Sequence, residues 1–200
     1  MSTYPVTYEQ HPPVERNRLT VFFRLFMCIP HAIVSWFYGI AVFFVDVAAW
    51  FAILFTGRFP QGMYDFVVNY LRFYTRYCGY ALLVVDEFPP FDGAAHPQYP
   101  IRVEIGAPAP QYSRLKAFFR IILAIPICVL QYVLQIWIVV VAIGIWFVAL
   151  ATGKTPPGMS EAMHFPMSYF VRSTAYIYLI TDIYPPISDT DALLPAGAMS

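Results

Sequence analysis

Thr56-Gly57-Arg58-Phe59-Pro60-Gln61-Gly62-Met63 returns, without a gap, as Thr152-Gly153-Lys154-Thr155-Pro156-Pro157-Gly158-Met159. The offset is 96 residues, and it also lays Arg24 on Arg120, Pro30 on Pro126, Trp50 on Trp146 and Arg76 on Arg172. Asp86-x-Phe88-Pro89-Pro90 falls on Asp182-x-Tyr184-Pro185-Pro186. Between residues 17 and 91 there are 23 identities in 75 aligned positions, and they include Gly, Pro, Trp and Arg, so shared hydrophobicity does not explain them. The chain is one unit written twice. In each unit the stretch reads as a turn between two helices. Gly57 and Gly153 supply a left-handed C-cap, which other residues adopt only under strain. Pro60 and Pro156 stop helix continuation, and Gly62 and Gly158 complete the turn.

The helix that each turn ends is long and apolar. Residues 30–55 carry one acid deep inside, Asp46, and residues 126–151 carry no charge. About 20 apolar residues cross a bilayer, so both segments are predicted to be transmembrane helices. Trp50 and Trp146 sit toward their far ends, where indoles favour the interface. Residues 15–29 open with Arg16 and Arg18, and the matching flank of the second unit carries Arg114 and Lys116. Apolar spacing there predicts a short interfacial helix, ended or kinked by Pro30 or Pro126. After the turn, Asp65, Asn69, Arg72 and Arg76 line one face of a two-faced helix over 63–77. The second unit keeps Glu161 and Arg172 but has Pro166 inside. Residues 80–91 and 176–187 are rich in Tyr, Leu, Ile and Val and read as strands running into polyproline-like exits. Tyr4-Pro5-Val6-Thr7-Tyr8-Glu9 matches Tyr99-Pro100-Ile101-Arg102-Val103-Glu104 at an offset of 95, and the alternation at Ile101, Val103 and Ile105 predicts a short strand.

The expected architecture is mainly α and integral to a membrane. It is a tandem duplication of an interfacial helix, a transmembrane helix and an amphipathic return helix, flanked by short β-strands. Residues 1–92 form the first repeat, 93–98 a linker, 99–187 the second repeat and 188–200 a disordered tail. Composition supports this: 59% of the 200 residues are hydrophobic and 12% are charged, against about 25% charged in a soluble domain. Zero net charge argues against a nucleic-acid partner. Cys28, Cys78 and Cys128 form no CxxC and none recurs, so no disulfide framework follows. His11, His31, His96 and His164 are scattered, and no phosphate-binding or nucleophile motif occurs. No catalytic residue, cofactor or metal ligand is assigned. The long polar lead before Leu19 argues against a cleaved signal peptide.

Both apolar helices are more basic on their N-terminal flank. The positive-inside rule then puts both flanks, both termini and the linker in the cytoplasm of a multi-pass protein of the inner (plasma) membrane. That arrangement is a parallel repeat, and it requires residues 63–85 and 159–181 to return through the membrane or the long segments to be re-entrant. One crossing per unit gives an inverted repeat instead.

Asp46 is the sharpest candidate, since a carboxylate in mid-helix costs on the order of 3 kcal/mol in lipid. It shares a helical face with Ser35, and the equivalent face of the second unit carries Gln131 and Gln135. Facing polar stripes of this kind join helices in lipid. The functional reading is a proton or cation site, and the simpler one is a hydrogen-bonded link between the units. Arg24, Arg76, Arg120 and Arg172 recur, as do Asp86 and Asp182. They are expected to form ion pairs or to hold anionic lipid headgroups.

The pattern Ile-Pro-His31, then Trp50-Phe51-Ala52-Ile53-Leu54-Phe55-Thr56-Gly57, then Tyr80-Ala81-Leu82-Leu83-x-x-Asp86-Glu87-x-Pro89-Pro90-Phe91, resembles the DUF4389 family of bacterial membrane proteins. The second unit departs from it at Ile127, Ile183 and Ile187. The resemblance implies location and architecture and carries no catalytic residue. The function expected is a non-catalytic membrane scaffold or accessory subunit, whose partners are lipids and either another membrane protein or further copies of itself. The alternative is an oligomeric small transporter or channel with its site around Asp46.

Overall fold

The computed structural model describes residues 4–13 and 15–187. The elements run β1 (Val6–Gln10), α1 (Arg18–Thr56), α2 (Gln61–Ala81), β2 (Ile101–Ile105), α3 (Arg114–Phe118), α4 (Arg120–Thr152) and α5 (Pro157–Ile177). The tail proposed for 188–200 lies outside the described residues.

Matching residues build both units. Asn17 caps α1 by accepting from Leu19 N, and Ser113 caps α3 by accepting from Lys116 N. Gly57 and Gly153 both sit at φ 73°, and their N–H groups close on Ile53 O and Ala149 O at 2.8 Å. Thr56 and Thr152 hydroxyls fold back onto Ala52 O and Val148 O. Pro60 and Pro156 are extended, at φ −61° and −60°, and launch α2 and α5.

Two expectations are corrected. Pro30 neither ends nor separates a helix, because α1 runs through it without a break. Its buried stripe of Val21, Arg24, Cys28, His31 and Ser35 continues across the proline, so packing outweighs one lost backbone bond. In the second unit the break falls earlier, at Phe119, and α4 passes through Pro126. The second correction concerns residues 80–91 and 176–187, which are not strands. Each begins in the last residues of a helix, α2 or α5, that closes in a Schellman turn with Leu83 or Leu179 at positive φ, 62° and 59°. Val84 N bonds Gly79 O at 2.8 Å, and Ile180 N bonds Ala175 O at 3.0 Å. Arginine side chains then take the carbonyls that a ladder would use.

The other predicted strands do form, as one antiparallel pair with Val6 opposite Ile105 and Gln10 opposite Ile101. Tyr8 faces Val103, its own counterpart at the 95-residue offset, so a local two-fold axis passes through that pair. Bonds between the units obey the same symmetry. Trp50 Nε1 donates to Ala117 O (2.8 Å) and Trp146 Nε1 to Val21 O (3.2 Å). Tyr112 N bonds Gly57 O, and Arg16 N bonds Gly153 O, each at 2.8 Å. The end of α1 therefore lies at the start of the second unit's helices, and the end of α4 lies at the start of α1. α1 and α4 run antiparallel.

The strands are exchanged. β1 packs on α5, where Tyr4 Oη donates to Arg172 O and Gln10 Nε2 to Ser160 O, both 3.1 Å. β2 packs on α2, where Tyr64 Oη donates to Gly106 O at 2.6 Å. α2 and α5 form the middle layer, with Val67, Leu71, Phe73, Met163 and Val171 wholly buried. α1 and α4 form the layer beyond, long and apolar enough to cross a membrane, with most of each surface outside the core. Phe22, Phe26, Trp36, Phe44 and Phe55 on α1, and Ile121, Ile125, Tyr132, Val140 and Phe147 on α4, face outward.

Candidate functional site

One arginine fixes the segment after the middle helix in each unit. Arg24 Nη1 donates to Tyr80 O (2.8 Å) and Val85 O (2.7 Å), its Nη2 pairs with Asp86, and its guanidinium lies over the Tyr80 ring at 4.4 Å. Arg120 Nη1 donates to Thr181 O (3.1 Å), its Nη2 pairs with Asp182 Oδ1 (2.9 Å), and it lies over Tyr176 at 4.0 Å. The recurring arginine and aspartate are thus one clamp per unit. Arg24 also meets Tyr80 O in the last turn of α2, where positive charge is favoured.

Arg16, expected as part of an interfacial basic flank, is instead buried. Its Nη1 pairs with Asp86 at 2.6 Å, its Nη2 donates to Leu83 O at 2.6 Å, and its Nε reaches Thr155 of the other unit. Burial lowers its pKa below the ordinary arginine value, and Asp86 opposes that shift. The 96-residue shift puts Tyr112 in its place, and Tyr112 Oη donates to Ile180 O at 3.1 Å. Asp182 instead takes Ser113 N at 2.6 Å.

The other two recurring arginines brace the middle layer. Arg76 Nη2 donates to Ala94 O in the linker at 2.7 Å, and Arg76 Nε to Arg72 O at 3.1 Å. Burial lowers the pKa of Arg76, with Asp92 the main opposing charge. Arg172 Nε donates to Ser168 O at 3.3 Å.

The candidate polar stripe is not assembled. Gln131 Oε1 accepts from Ser173 Oγ on α5 at 2.9 Å, and the Ser35 hydroxyl is buried without a partner. Gln135 lies one helical turn beyond Gln131 on α4, partly exposed. Asp46 is elsewhere, in a lateral groove of about 780 Å³ between α1 and the start of α4, with Trp50, Arg120, Ala124, Cys128 and Leu179. Asp46 Oδ1 and Arg120 Nε are both buried there without a hydrogen-bond partner. The two-fold generates a second groove of about 410 Å³ with Arg24, Leu83, Ala142 and Trp146. Ala142 stands where the first groove has Asp46.

His31 of the family pattern lies in an aromatic cluster. It is stacked on Phe91 (3.9 Å) and Phe73 (5.9 Å), met edge-on by Phe88 (4.8 Å), and its Nε2 contacts Pro89 O at 2.9 Å. It anchors the Pro-Pro exit of the first unit, and Ile127 fills the same place in the second. Among the described residues no three His, Cys, Asp or Glu side chains gather as metal ligands.

These features define a class: duplicated helical proteins in which two arginine-clamped hairpins exchange strands about a two-fold axis. The chain belongs to the family described as a domain of unknown function, DUF4389, whose model matches residues 18–92 and again residues 114–188. Each match takes in a clamp and a glycine turn, and both exchanged strands fall outside it. No curated protein matches the chain, and no solved structure does.

Proposed function

We propose that the protein is a non-catalytic membrane scaffold or accessory subunit, held in the inner (plasma) membrane by α1 and α4. Its termini and linker face the cytoplasm, and its partners are lipids and either another membrane protein or further copies of itself. The observation that carries this reading is the outward face of α1 and α4, a continuous surface of Phe, Trp, Ile and Val over two long helices. Monomeric soluble proteins do not expose apolar patches of that extent. The test is extraction in mild detergent, followed by mass spectrometry of the proteins and lipids that co-purify. A stoichiometric membrane-protein partner or a defined homo-oligomer supports the scaffold. A monomer that leaves the membrane in alkaline carbonate, with no partner or lipid, contradicts it.

One observation favours the transporter reading: the orphaned Asp46 Oδ1 and Arg120 Nε share one groove. Proton or cation flux into proteoliposomes that is abolished by Asp46→Asn would support it, and identical flux in the two proteins would remove the site.

A further inference from the structure

We propose that α1 and α4 lie flat within one leaflet of the bilayer, with the two-fold axis along the membrane normal, and do not cross it. This rests on the membrane reading above and specifies its geometry.

Tyr38 Oη donates to Phe66 O, and His31 stacks with Phe73 and Tyr77, so the middle of α1 lies beside residues 66–77 of α2. Arg72 donates to Val103 O and Tyr64 to Gly106 O, so β2 runs beside much the same stretch. A bilayer centred on the middle of α1 would hold the strand pair at its midplane. That pair is two-stranded, so each strand has an edge outside the ladder. It also carries Glu104 and the ion pair of Arg102 with Glu9, 3.5 Å apart, whose side chains are 41% and 52% exposed. Open sheet edges do not occur in hydrocarbon, and each such charge at the bilayer centre costs on the order of 3 kcal/mol.

Because α1 and α4 are antiparallel, Arg18 and Lys154 share one end of the layer, while Arg58, Arg114 and Lys116 share the other. All five are exposed. A pair that crossed the membrane would be basic on both faces, against the usual bias. Laid flat, all five reach a single headgroup surface, where each basic side chain is attracted to anionic lipid. Both N-terminal flanks then meet the same side, as the charge pattern of the sequence requires.

A helix with its side chains is about 10–12 Å across, and one leaflet holds about half of a 30 Å hydrocarbon core. The α1/α4 layer fits within one leaflet and leaves α2, α5 and the strands at or above the headgroups.

The test uses the full chain carrying Arg58→Cys and Lys154→Cys, reconstituted in sealed vesicles of phosphatidylcholine and phosphatidylglycerol. A membrane-impermeant maleimide is added outside, and adducts beyond those on the wild-type chain are counted by intact mass. Detergent must first raise the count to two on every molecule. Flat helices put both ends on one side, so each molecule carries two adducts or none, however the protein inserts. A population with one adduct per molecule means that the helices cross, and it overturns the proposal while leaving membrane residence intact. Protein that fails to float with the vesicles, as a soluble dimer hiding the α1/α4 face would, overturns the membrane reading itself.

Discussion

Replacing Arg120 with Met removes three contacts at once: the ion pair to Asp182 at 2.9 Å, the bond to Thr181 O at 3.1 Å and the stack on Tyr176 at 4.0 Å. At an effective dielectric of about 20, two unit charges at that separation attract by about 6 kcal/mol. Desolvating the two ions offsets much of this, so the net value of the pair is far smaller. Removing one partner of a buried pair nevertheless costs about 3–5 kcal/mol, because the other charge is stranded. The Asp182 side chain is 15% exposed and keeps Ser113 N, which places Arg120→Met near about 3 kcal/mol. A double-mutant cycle with Asp182→Asn should give a coupling energy of about 2–3 kcal/mol. The cycle of Arg24→Met with Asp86→Asn should give less, because Asp86 retains Arg16. The assay is reversible denaturant unfolding in mixed micelles, followed by tryptophan fluorescence. A coupling at or below about 0.5 kcal/mol at the 120/182 pair, the range of exposed ion pairs, would refute the clamp as a structural device.

Five further substitutions test particular contacts. Gly57→Val and Gly153→Val force a Cβ into a left-handed conformation and should each cost about 1–2 kcal/mol. The penalty should be larger at Gly153, where the new atom comes within 3.3 Å of Arg18 against 3.6 Å from Arg114 at Gly57; wild-type melting temperatures would refute the strained turn. Trp50→Phe and Trp146→Phe each delete one bond between units and should lose about 1 kcal/mol apiece. One neutral and one damaging variant, compared by denaturant midpoint, would show that the two-fold is not energetic. Asp46→Ala installs the residue that the second groove already has and removes an unpartnered carboxylate oxygen, so stability should hold or rise. A loss beyond about 1 kcal/mol in the same unfolding assay would mean that Asp46 has a partner essential to the fold.

The sequence made the local structure legible and left the pairing hidden. The glycine turns, the two long apolar helices and the strands at 6–10 and 101–105 follow from cap chemistry and periodicity, which act within a few residues. The recurrence of Arg24 with Asp86 and of Arg120 with Asp182 was readable as a paired set because both partners keep their spacing. Leu83 and Leu179 hid their helix ends, since a Schellman turn normally announces itself with Gly. Residues 80–91 looked like a strand because their composition suits one, yet Arg24 takes the carbonyls that a ladder would need. Arg16 stood out only as part of a basic flank and His31 only in the family pattern; their contacts were hidden because neither recurs and each acts through a segment more than 50 residues away. The antiparallel order of α1 and α4 entered only as the inverted-repeat alternative, because each end of the layer combines the flank of one unit with the turn of the other and charge does not select it.

The claim that everything else rests on is that the two units form one body by exchanging strands. It is tested most directly by cutting the chain in the linker and expressing residues 1–98 and 99–200 separately and together. Alone, the second half loses Tyr4 and Gln10 from α5, Arg16 from Thr155 and Trp50 from Ala117. The first half loses β2 from α2. The account predicts that neither half accumulates in a protease-resistant form alone, and that co-expressed halves purify as a one-to-one complex with the resistance of the intact chain. A single half that purifies folded, with the denaturation midpoint of the whole protein, would contradict it.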